Sequence, residues 1–110
     1  MVANLEIKKK NMILSIYDST KQTLVGVFNS IPICSRYIFR QEHNISCDKK
    51  IRNHWQFKTK LLNNGMSYAI RTATKEQKEL LKNKNYIIVN GYEQPSYNDM
   101  KSFDNFEKSN

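Results

Sequence analysis

The side chains best suited to chemistry lie in one stretch, Ser46–Leu62 (SCDKKIRNHWQFKTKLL). Lys49, Lys50, Arg52, Asn53, Gln56, Lys58 and Lys60 are donor-rich groups that suit phosphates and base edges. Arg or Lys can donate to guanine, and Asn or Gln can pair with adenine through two hydrogen bonds. Ile51, Trp55 and Leu62, four and seven residues apart, predict a helix with one apolar side, opened by Ser46 and Asp48. On that helix Lys49, Arg52, Asn53 and Gln56 share one face or its border. Lys50, Lys58 and Lys60 would add phosphate affinity more than sequence reading. A solvated cationic helix carries the same residue types. Trp55 also has two readings, core anchor or platform for a stacked base, and its register with Ile51 favours the core.

Other chemistry finds little support. Cys34, His43, Cys47 and His54 have the spacing C-x8-H-x3-C-x6-H, which lacks the close ligand pairs of familiar zinc sites. Two reduced thiols, at least one of them filling the core, are expected instead. There is no G-x-S-x-G, Walker A, H-E-x-x-H or Rossmann glycine pattern. Asp18, Glu42 and Asp48 fall where turns and caps use carboxylates, and no nucleophile stands beside His43 or His54. The expectation is a protein that is not an enzyme, with no catalytic residue, metal or cofactor.

The formal net charge is +8 over 110 residues. Residues 1–60 carry eleven Lys/Arg against four Asp/Glu, so the basic surface belongs to the first half. Such a balance favours nucleic acid, anionic lipid or an acidic protein surface as partner. An A/T-rich coding sequence would enrich Lys, Asn, Ile and Tyr in the same way without selection for binding. No apolar run approaches the roughly 18–20 residues that cross a bilayer, and the N-terminus lacks a signal-peptide core. A cytoplasmic protein with no membrane partner is therefore expected.

The elements around the basic stretch predict an α+β fold with one small core. Met12–Asp18 and Leu24–Asn29 read as a β-hairpin turned by Ser19–Thr23, with Gly26 marking a bulge or a close backbone approach. Ser30 caps a short helix that ends near Phe39 or Arg40, with Pro32 in its first turn and Ile31, Cys34, Tyr37 and Ile38 inward. Gln41–Ile45 breaks the period, and Ile45 could staple the next helix to the first. The pair makes a helix-turn-helix arrangement, for which an ordinary αα-hairpin is the rival. Asn63-Asn64-Gly65 stops the basic helix, and Met66–Thr72 follows as a third strand. Thr74 and Gln77 match a capping box before a polar helix over 75–84, and Tyr86–Val89 reads as a fourth strand. Residues 1–11, with Lys8–Lys10, read as a flexible basic arm, 12–95 as the domain, and 96–110 as a loosely ordered tail.

The runs IYDSTKQTLVGVFNSI, CSRYIF, NISCDKKIRN and SYAIR, over about Leu14–Arg71, resemble the modular helix-turn-helix DNA-binding domain of the intron-encoded nuclease repeat type. The resemblance implies a major-groove helix formed by Ser46–Gln56. Here Cys34-Ser35-Arg36 replaces that family's small residues, and His43-Asn44 its glycine-containing turn. Two functions follow as expectations. One is duplex DNA binding in a regulatory or accessory role of a phage or mobile element. The other rests on size and composition similar to phage accessory proteins such as anti-CRISPR proteins. It is inhibition of a host protein such as a CRISPR effector, with Tyr92, Tyr97, Phe103 and Phe106 as candidate contact aromatics. RNA binding through the sheet is weaker, because no RNP-like aromatic motif is present.

Overall fold

Leu14–Asp18 (β1), buried on both faces, is the middle strand of an antiparallel sheet, paired on one edge with Thr23–Phe28 and on the other with Met66–Thr72. The computed structural model describes residues 12–40 and 44–95; the expected basic arm, Gln41–His43 and the C-terminal tail lie outside the described residues. After β1 come Thr23–Phe28 (β2), the helices Ile31–Phe39 (α1) and Ile45–Phe57 (α2), Leu61–Asn63 (β3), Met66–Thr72 (β4), the helix Lys75–Leu81 (α3) and Tyr86–Ile88 (β5). The strand order is β3-β4-β1-β2-β5, with every neighbouring pair antiparallel. The fold class is α+β, as the sequence predicts.

Register decides what each face carries. Ile16 stands opposite Ile70 and Asp18 opposite Tyr68, so these side chains share the face that α1 and α2 cover. There Leu14, Ile16, Phe28, Ile31, Cys34, Ile38, Ile51, Leu61 and Ile70 belong to one buried cluster. The opposite face has a smaller core of Val27, Ala73 and Leu81 beneath α3, which packs on β2 and β5. Ser15 is fully buried on this second face and donates to Gln77 Oε1 at 2.6 Å, so its burial leaves no unmet hydroxyl.

Gly26 meets both expectations placed on it. The β1–β2 register shifts between Ile16 and Tyr17, and a Cβ at Gly26 would lie 2.5 Å from the Ile87 carbonyl oxygen. The last strand therefore docks against a position that only glycine leaves open. The capping box also forms, with Thr74 Oγ1 accepting from Gln77 N and Gln77 Oε1 from Thr74 N. That helix ends at Leu81 rather than 84 because Lys82 takes φ 54°.

The largest correction concerns the basic helix. It begins at Ile45, capped by Asn44, whose side chain accepts from Ser46 N at 2.7 Å, not by Ser46 or Asp48. It ends at Phe57 rather than Leu62, because Lys58 turns left-handed at φ 57°. The stop is reinforced by Thr59 N donating to the His54 carbonyl and by His54 Nδ1 paired with Thr59 Oγ1 at 2.7 Å. Beyond it the chain is extended, and Asn64-Gly65 is a two-residue hairpin turn with φ of 53° and 78°, not a helix stop. Strand alternation then buries Leu61 (6% exposed) and exposes Leu62 (75%). Leu62 therefore leaves the predicted apolar stripe, which keeps Ile51 and, in part, Trp55. Ile45 is not a staple, being 66% exposed.

Candidate nucleic-acid interface

Two inward residues hold α2 in place and so decide which side chains it presents. Ile51 is fully buried and Cys47 nearly so, and the helix packs on α1 and β4. Trp55 packs partly against the same core, while its Nε1 donates to Thr72 Oγ1 at 2.9 Å. This is the core-anchor reading with a polar tip on the surface. With the inward side fixed, Lys49, Lys50, Arg52, Asn53 and Gln56 are all exposed.

The seven predicted side chains do not form one surface. Lys49, Arg52, Asn53 and Gln56 follow i, i+3, i+4, i+7 and make one stripe along the outer side of α2. Lys50 leans away, its Nζ 5.7 Å from the centre of the Phe39 ring at the end of α1. Lys58 and Lys60 follow the helix and line a separate cleft of about 410 Å³ with Tyr17, Ser19, Gln22, Thr59, Ala69 and Arg71. Arg71, Tyr17 and Gln22 escaped the sequence reading. Strand alternation held the signal for Arg71: with Tyr68 and Ile70 inward, Ala69 and Arg71 must point to the opposite face.

Arg40, Asp18 and Glu93 are otherwise engaged; Glu42 lies outside the described residues. Asp18 Oδ1 accepts from Thr20 N and Lys21 N at 3.0 and 3.2 Å, and Oδ2 accepts from the Tyr92 hydroxyl at 3.2 Å. Burial works to raise its pKa, but the backbone N–H groups of Lys21 and Thr20, the Tyr92 hydroxyl and the Lys21 charge outweigh it. The carboxyl is held below its ordinary value. Tyr92 also pairs with Thr23 Oγ1, tying the segment after β5 to the hairpin. Arg40 lies 4.3 Å over the Tyr37 ring and 3.3 Å from Glu93, whose carbonyl accepts from the Tyr37 hydroxyl at 2.7 Å. Burial raises the pKa of Tyr37 and Tyr68, so both remain protonated hydroxyls.

Cys34 and Cys47 are both buried, and no disulfide joins them. Burial first, then the Asp48 charge, pushes the Cys34 thiol far above its usual range, which disfavours a thiolate there. No group of three His, Cys, Asp or Glu among the described residues is placed to hold a metal; His43 lies outside them. No helix among the described residues is long and apolar enough to cross a membrane. No protein-family model, curated protein or solved structure matches the chain.

Proposed function

We propose that this is a small nucleic-acid-binding protein that engages duplex DNA through the outer side of α2, in a regulatory or accessory role. One observation carries the reading: Lys49, Arg52, Asn53 and Gln56 form an exposed stripe on a helix whose other side is fixed by Ile51 and Trp55. Asn53 and Gln56 have the amide geometry to pair with adenine, and Arg52 the fork to meet guanine. Lys49 and Lys50 would hold phosphate and set orientation. Support also comes from the order over Leu14–Arg71, a hairpin, two packed helices and a strand pair, which differs from the order of the nuclease-repeat resemblance by the added strand β3.

The test is a salt titration of binding to generic duplex DNA, where the log–log slope counts phosphate contacts. Replacing Lys49, Lys50 and Arg52 together by Ala should lower that slope by about 1.8, for the two lysine–phosphate contacts, while thermal stability stays near wild type. Absence of duplex binding at about 50 mM salt, where phosphate contacts are strongest, would contradict the reading.

A second reading, a partner protein with an acidic surface such as a CRISPR effector, draws on different side chains. Ile45 and Phe57, each 66% exposed, stand at the two ends of the same helix. Exposed apolar groups beside cations suit a protein interface better than a phosphate backbone. Retention of a host protein after nuclease treatment, lost on Phe57→Ala, would favour this reading.

A further inference from the structure

The cleft that takes Lys58 and Lys60 away from α2 has the makings of a site of its own. It opens on the second face of the sheet, on the β4 and β1 side, away from the β2–β5 side where α3 packs. Three cations line it, Lys58, Lys60 and Arg71, and among the described residues no acidic side chain does. The Arg71 guanidinium is steadied by Nη1 donating to the Ile70 carbonyl at 2.9 Å.

Its aromatic member is held as firmly. Gln77 Oε1 accepts from Ser15 Oγ at 2.6 Å and from Thr74 N at 2.9 Å, which fixes the amide orientation. Gln77 Nε2 must then face the Tyr17 hydroxyl, to which it donates at 2.8 Å. Directly across the ladder from Tyr17 stands Ala69, a short side chain, and both residues line the cleft. A half-buried aromatic side chain on the central strand thus lines the cleft together with three cations.

We infer that this cleft binds a segment of single-stranded nucleic acid, with phosphates on Lys58, Lys60 and Arg71 and a base on the Tyr17 ring. Charge complementarity requires a polyanion. The position of Tyr17 selects a single strand, because a duplex keeps its base faces stacked inside while a single strand leaves them free. A cleft of about 410 Å³ also suits a nucleotide or two better than the side of a double helix. The site shares no residue with the Lys49–Arg52–Asn53–Gln56 stripe and does not depend on it.

The probe is a fluorescent oligothymidylate of about eight nucleotides, followed by anisotropy from about 50 mM salt upwards. Wild type should bind with a salt-dependent affinity. Lys58→Ala with Lys60→Ala should lower the log–log slope by about 1.4, since each phosphate contact on a single strand contributes about 0.7. Both lysines are exposed, so the double variant should melt like wild type. Ala69→Leu, which fills the cleft without changing charge, and Tyr17→Leu should each weaken binding about tenfold. Lys49→Ala with Arg52→Ala should leave oligothymidylate affinity within about twofold. No binding, binding indifferent to the lysine pair and to Ala69→Leu, or equal loss in the α2 variant would each overturn the inference. Duplex DNA run on the same variants keeps the two sites apart. Absence of duplex binding by wild type, with oligothymidylate binding intact, would count against the role of α2 alone; loss of duplex binding only in the Lys49→Ala, Arg52→Ala variant would support both sites.

Discussion

Two clefts among the described residues, both containing tyrosine and arginine, differ in how their charge is balanced. One, of about 280 Å³, is lined by Tyr37, Arg40, Asn64, Met66, Tyr68, Tyr92 and Glu93; the other holds Lys58, Lys60 and Arg71 around Tyr17. In the first, the only cation is paired with Glu93 and lies over an aromatic ring, and the tyrosine hydroxyls of residues 37 and 92 donate within the fold. Its polar groups tie α1 and the segment after β5 to the sheet. In the second, three cations meet no carboxylate in the lining. Like charges are gathered there without internal compensation, a cost that folding alone does not require. The comparison teaches that the excess charge of this chain is not spread evenly. It is spent internally at the first cleft and left available at the second and along α2.

The largest expected effect breaks the scaffold beneath both regions. Ile51→Ala should cost about 2–5 kcal/mol, because a fully buried side chain leaves a cavity between α2 and the sheet. Denaturant unfolding checks this, and nucleic-acid affinity should fall only in proportion to the unfolded fraction. Next comes Gln77→Ala, which strands the buried Ser15 hydroxyl and releases Tyr17. It should cost about 1–3 kcal/mol, and oligothymidylate binding should weaken beyond what unfolding explains.

The first cleft has a pH signature through its neighbour Asp18. Because the folded carboxyl ionises more readily than the unfolded one, the unfolded chain binds more protons as pH falls. Its contribution to stability is therefore full above the ordinary carboxylate value of about 4, and fades as pH drops through the lower folded value. Asp18→Asn should flatten the melting temperature over that acidic window and change nothing in its shape above pH 6 or so. The smallest effect belongs to Glu93→Gln. An exposed ion pair contributes about 0–1 kcal/mol, so stability should hardly move, and neither duplex nor oligothymidylate binding should respond.

Much of this is legible in the sequence, and the errors at the C-terminal end of α2 share one physical origin. Strands β1 and β2 follow from β-branched and aromatic runs on either side of turn residues, β4 from two-residue alternation, and Gly26 stands out by sitting inside such a run. The end of α2 did not, because Lys58 adopts the left-handed conformation without being glycine or asparagine, so nothing punctuated the helix there. Leu62, seven residues beyond Trp55, then extended a helical stripe by coincidence of spacing. Asn64-Gly65 was the available correction, as the strongest short-range hairpin signal, but it also suits a helix terminus. The α2 stripe was readable because it depends only on local helical geometry. The Lys58–Lys60–Arg71 cleft was not, since it requires β3 to lie on β4 and Tyr17 to be brought across from β1.

The most direct measurement of the central claim is amide chemical-shift mapping by NMR as duplex DNA is titrated into the full chain. The stripe account predicts that the largest changes fall at Lys49, Arg52, Asn53 and Gln56, while Tyr37, Arg40 and Glu93 stay still. Changes centred on the Arg40–Glu93 cleft, or none along α2 at saturating DNA, would contradict it.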